Sequence, residues 1–270
     1  QKIPTALPEN GLEGTAELRW GSAANERAGV VGLTAGKGPL ALRVEGASRR
    51  AGDYRVGSGW AGGRKVDGSF NETDTGSIGL SWIGSAGYLG LAYTRQQAQY
   101  GLPGHTHGFE DCHTHGLGAN MHLHCGGHGH ADHDDHDHDH DDHDHDHDHS
   151  VPVVDMTSHR WDVRGQWNAP LQGIEAVRLR ASHTRYGHDE IEGDAVATRF
   201  RNRAHDVRVE VQHAPLAGWR GVWGLSTGQR QFSADGEEAY VQPTDTRRLG
   251  LFLLEEYTLG DWRFQAALRH

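Results

Sequence analysis

Between residues 105 and 149 histidine recurs at spacings that suit metal ligation. Four His-x-His pairs come first: His105/His107, His113/His115, His122/His124 and His128/His130. In extended backbone, residues i and i+2 point to the same side, so each pair can offer two imidazoles to one ion. Two such pairs folded together would supply the four ligands that tetrahedral zinc takes. A different kind of segment follows. From Asp132 to His149 the chain has eight histidines (His133, His136, His138, His140, His143, His145, His147 and His149), ten aspartates and nothing else. No side chain there can build a core, so the run reads as a mobile polyelectrolyte. Its carboxylates concentrate cations and can accept the second ring N–H of a ligating imidazole. The pattern predicts a weak, many-site reservoir feeding a tighter, better-ordered site. A solvated acidic spacer has the same composition, and composition leaves both readings open.

Cys112 and Cys125 enclose the two central pairs. Their spacing suits a local disulfide in an oxidising compartment, or a thiolate pair in a metal site. The ion is equally open, because imidazole suits Zn2+, Cu2+ and Ni2+ alike. His188, beside Asp189 and Glu190, is a further candidate ligand, with an ordinary loop histidine as the alternative.

The elements that must carry this segment are strands. Over Ser158–Asn168, His159, Trp161, Val163, Gly165 and Trp167 alternate with Ser158, Arg160, Asp162, Arg164, Gln166 and Asn168. The same period of two returns at Val207, Val209 and Val211, and at Trp262, Phe264, Ala266 and Leu268. Half-apolar alternation of this kind is the mark of β-strands. Eleven are expected, near residues 14–20, 27–35, 39–50, 75–83, 87–97, 157–168, 174–187, 200–213, 219–231, 245–257 and 261–270. Short turns alternate with long polar connections at Ala51–Asp74, Ala98–Met156, Gly187–Thr198 and Phe232–Thr244. An up-and-down sheet with one plain rim and one elaborated rim follows. Trp82, Tyr88, Trp167, Trp219, Tyr257 and Trp262 lie near the short turns, as in the aromatic girdle of a membrane barrel. Arg160, Arg164, Asp206, Arg208 and Glu210 share the other parity, which a wet lumen tolerates and a sandwich core does not. By that parity His159, His205 and His213 point outward and His188 toward the lumen. A soluble β-sandwich with one solvated face also alternates.

Composition narrows the function. The net charge is −11, but removing the ten aspartates of the run leaves −1, so no basic nucleic-acid face is expected. No apolar stretch of about 18 residues exists to form a membrane helix. Gln1–Pro4 has no apolar leader region, which predicts a mature form or a piece of a longer chain. No Walker loop or His-Glu-x-x-His is present, and no enzyme is expected.

The stretch IPTALPENGLEGTAELRWGSAANERAG, Ile3–Gly29, resembles the passage from plug to first barrel strands in TonB-dependent outer-membrane receptors. The His/Asp-rich loop resembles, in composition, the zinc-uptake branch of that family. The resemblance implies an all-β transmembrane barrel, antiparallel and up-and-down, of which residues 1–270 form about 11 of 22 strands with the plug absent. It makes 98–156 an extracellular metal-binding loop and places the protein in the bacterial outer membrane, among its lipids, as a monomeric barrel. It further implies Zn2+ as cargo and the TonB–ExbB–ExbD complex as energy source, acting through the plug. At a cell surface it favours the disulfide between Cys112 and Cys125.

Overall fold

The computed structural model describes residues 2–57, 63–103, 151–236, 239 and 241–270, and the backbone of 112–115 and 122–125. In chain order the strands are β1 (Leu12–Gly21), β2 (Glu26–Lys37), β3 (Leu40–Ala51), β4 (Asn71–Gly84), β5 (Gly87–Gly101), β6 (Cys112–His115) and β7 (His122–Cys125). After these come β8 (Val153–Leu171), β9 (Ile174–Glu192), β10 (Ala195–Leu216), β11 (Trp219–Gly236), β12 (Thr244–Leu259) and β13 (Trp262–Arg269). Eleven form one antiparallel sheet in the order β1-β2-β3-β4-β5-β8-β9-β10-β11-β12-β13. The remaining two, β6 and β7, make a separate hairpin inside the β5–β8 connection.

Register turns the alternation of each strand into continuous faces. Val44 opposes Ile78, Leu91 opposes Val163, Val163 opposes Ala181 and Ala181 opposes Val207. Val209 then opposes Leu225, Leu225 opposes Leu251, and Leu253 opposes Leu268. The face so built is apolar from β1 to β13 and uncovered: Leu18 is 68% exposed, Val31 61% and Leu251 56%. Burying one large apolar side chain is worth about 1.5–3 kcal/mol. Dozens of them left facing water would outweigh the 5–15 kcal/mol typical of a folded domain. This face is therefore made for an apolar surrounding. No helix among the described residues is long and apolar enough to cross a membrane.

The opposite face is polar. Arg160 bonds Asp162 at 2.9 Å, Arg208 bonds Glu210 at 2.6 Å and Arg248 pairs closely with Asp206. Its buried residues are small, Ala41, Ser81 and Ala92 among them. Over β4 and β5 it is covered by the N-terminal segment: a Cβ at Gly79 would collide with the Lys2 carbonyl, and one at Gly90 with the Ile3 side chain.

One rim is plain. Two-residue turns join β2–β3, β4–β5, β8–β9, β10–β11 and β12–β13. At β10–β11 both turn residues, Ala217 and Gly218, are left-handed (φ 51° and 86°), the geometry whose twist matches a tight hairpin. Trp82, Trp167, Trp219, Tyr257 and Trp262 fall on the apolar face near this rim, and the Trp219 and Tyr257 rings lie 5.2 Å apart. Tyr88 does not join them. It opposes Gln166 on the polar face.

At the other rim two expected loops are shorter than the sequence suggested. Gly187–Thr198 is mostly strand, with only Gly193 and Asp194 in the turn, and β11 runs on to Gly236. Strands β8–β11 have 18 to 22 residues, whereas a tilted membrane strand needs about 9–11. Their far ends project beyond the apolar belt. Spin labels placed at Val209 and Arg208 of the full-length protein in bilayers are expected to differ: the first accessible to oxygen in lipid, the second to an aqueous reagent. A lipid-exposed Arg208 would show this assignment of faces to be inverted.

Candidate functional site

The β5–β8 connection starts and ends at the elaborated rim. Gly101 opposes Val153, and the Leu102 N–H donates to the Pro152 carbonyl at 2.9 Å, so the feet of residues 103–151 stand together. Within this connection β6 and β7 pair with Cys112 opposite Cys125, His113 opposite His124, Thr114 opposite Leu123 and His115 opposite His122. Strand residues alternate faces, and directly opposed residues share one. Positions 113, 115, 122 and 124 thus fall on one face of the ribbon, and 112, 114, 123 and 125 on the other. Opposed Cα atoms in antiparallel strands lie about 4.5–5.5 Å apart, inside the range of about 4.4–6.8 Å that a disulfide spans. His105, His107, His128, His130 and the run from Asp132 to His149 lie outside the described residues.

His188 is on β9, four residues before its end at Glu192, in the projecting β9–β10 hairpin and on the polar face opposite Phe200. Its Nδ1 is 2.9 Å from the Tyr186 hydroxyl, its ring stacks on Phe200 at 4.4 Å, and its Nε2 is 3.7 Å from Glu190. Burial pushes its pKa below the ordinary histidine value, against the opposing pull of Asp189. The neutral ring that results is the form able to bind a metal. Among the described residues, however, no three His, Cys, Asp or Glu side chains converge on a common point.

The other histidines lie on the apolar parity, as the alternation implies. His159 Nδ1 meets the Tyr93 hydroxyl at 2.7 Å, and His213 Nε2 lies 3.1 Å from Glu255. The sequence reading passed over His183, whose ring stacks on the opposed His205 at 4.3 Å. Shared parity with Val177 and Leu179 on β9 was the available signal. It also passed over a row of like charges on the polar face, where Arg164 opposes Arg180 and Arg180 opposes Arg208.

No family model matches the chain. The sheet is that of a segment of a large up-and-down barrel, and solved structures share it. One is the copper transporter OprC, at a TM-score of 0.68 and 13% identity over 96% of this chain and 36% of that one. Another is the FrpB iron transporter from Neisseria meningitidis (F3-3 variant), at a TM-score of 0.65 and 10% identity over 96% and 40%. At such identities the likeness concerns the fold. The chain spans less than half the length of either.

Proposed function

We propose that the chain is part of an outer-membrane receptor that captures a divalent metal ion at the cell surface and imports it with TonB-supplied energy. Residues 98–156 are the capture loop, and Zn2+ is the cargo. The observation that supports this best is the β6–β7 register, which sets His113 against His124 and His115 against His122. Four histidine positions on one face of a short ribbon match the ligand number and donor type of zinc. A Cys112–Cys125 bond on the other face would close the ribbon and limit the entropy lost when the ligands gather. The eight-histidine, ten-aspartate run is the reservoir that loads this site.

The barrel reading agrees with the uncovered apolar face and the charged opposite one. Hydrocarbon admits no open sheet edges, so the eleven strands would span a bilayer only within a closed barrel. That the two structural neighbours are named as metal transporters favours metal cargo, though they carry copper and iron by name. Imidazole donors accommodate Cu2+ and Ni2+ as well, and the choice of zinc rests on the likeness of the loop to zinc-uptake receptors. Zinc-edge anomalous diffraction from the full-length protein tests the assignment. A peak within the β6–β7 ribbon is expected. A map with zinc only elsewhere, or with none, removes the capture site.

A second reading is favoured by Arg164 and Arg180, which oppose each other beside Arg208 and, unlike Arg208 with its Glu210, have no ion pair among the described residues. Opposed like charges destabilise a sheet unless something anionic meets them, and an acidic metal chelate would. Uptake of a ferric carboxylate chelate in place of free zinc is the outcome that would prefer it.

A further inference from the structure

On the outward face, just beyond the apolar belt at the elaborated rim, lies a row of rings followed by a row of cations. The rings are Tyr93, Trp161, His183 and His205, successive partners across β5, β8, β9 and β10. One step farther out, Arg95, His159, Arg185 and Arg203 are partners in the same way, and Arg201 stands one step beyond Arg203. Arg95, Arg185, Arg201 and Arg203 are all exposed. None has an ion pair within the described residues, although neighbours on the same hairpin do: Arg199 holds Asp189 at 3.0 Å. Arg185 directly opposite Arg203 is a repulsive pair by itself. Arg185, Arg201 and Arg203, together with Thr157, His159 and Gln231, line a groove of about 840 Å³, with Arg95 beside it in the row. Asp155, Asp189 and Asp245 also border it. Of these, Asp189 is taken by Arg199, and Asp245 by Gln229 and Gln231. Asp155 is two steps outward of His159 on β8, away from the belt.

We propose that this groove binds the phosphorylated headgroup of a lipid in the external leaflet, with the lipid's acyl chains lying on the belt beneath. The inference rests on reading the apolar face as a membrane surface. Guanidinium groups are suited to phosphate through paired, charge-assisted hydrogen bonds. The position selects a lipid over a soluble anion. The cations follow directly on Val163, Ala181 and Val207 of the belt, with aromatic rings between, which is the order of a bilayer interface. Unlike the polar face, this surface stays outward however the barrel is completed.

The test uses the full-length protein in neutral detergent and native mass spectrometry, with bisphosphorylated lipid A, the same lipid stripped of phosphate, and inorganic phosphate as probes. The phosphorylated lipid is expected to be retained one to one, and the stripped lipid about tenfold less, since two charge-assisted contacts are lost. Arg185→Gln with Arg203→Gln should lose the same factor, the corresponding double lysine variant should keep most of the binding, and Arg27→Gln on β2 should change nothing. Equal retention of both lipids, or full retention by the double glutamine variant, overturns the proposal. Displacement by millimolar inorganic phosphate reassigns the groove to a free anion and overturns it too. Recovery of the full-length protein from cells without detergent would instead overturn the membrane reading, which separates the two failures.

Discussion

Full-length protein carrying alanine at His113, His115, His122 and His124 is expected to take up zinc at least about tenfold more slowly than the native protein when zinc is scarce. The reason is geometric. These four positions belong to one face of the β6–β7 ribbon, so they are the ones the backbone already gathers. Removing them takes the ligands out of the ribbon and leaves the reservoir with no tighter site to load. The cysteines give a graded control. Cys112→Ser with Cys125→Ser leaves every imidazole in place but removes the proposed clamp, so uptake should fall by less than the histidine variant. A non-reduced digest of the native protein should contain a peptide joining the two cysteines. Two free thiols there would revive a cysteine-containing metal site. Uptake of radioactive zinc by cells carrying each variant is the measurement, and native uptake by the four-alanine variant would remove the site from the ribbon.

All eleven strands of the main sheet were legible in the sequence, because within the belt each residue has one apolar or one wet neighbour to satisfy. Val207, Val209 and Val211 against Arg208 and Glu210 is that rule in five residues. Legibility failed where the rule lapses. Beyond the belt, both faces of β9 and β10 meet water, so His188–Glu192 and Ala195–Arg199 carry no apolar–polar alternation and read as loop. Tyr88 was placed by its nearness to a turn, whereas its parity puts it opposite Gln166. Proximity along the chain says nothing about face; parity does.

The candidate site was legible as donors but not as an arrangement. Spacing identified His113/His115 and His122/His124 as pairs, and the cysteines as enclosing them. That the two pairs oppose each other depends on which residue of β6 meets which of β7, and a one-residue slip would have put the histidines on opposite faces. The outward arginine row was hidden for a related reason. Arg95, Arg185 and Arg203 are far apart in sequence and become neighbours only through the register of β5, β8, β9 and β10.

Deleting Asp132–His149 from the full-length protein is expected to slow zinc uptake when zinc is scarce and to leave it nearly normal when zinc is abundant. A reservoir raises the ion's concentration near the capture site without forming the path through the barrel. It therefore matters only while the site is undersupplied. The same deletion should flatten the response to acid. Bound metal requires neutral imidazole, which in the unperturbed state protonates with a pKa of about 6.5. In the run every histidine has aspartate on at least one side, and neighbouring carboxylates stabilise the imidazolium, so protons compete there at a less acidic pH than at an isolated ring. Capture by the native loop should weaken steeply between neutral pH and about 5.5. The deleted form, relying on the ribbon alone, should fall less over the same interval. Radioactive zinc uptake across a range of free zinc at two pH values resolves both effects. If the deletion changes uptake at no zinc level and at neither pH, the run is a spacer, and the proposed reservoir has no part in metal capture.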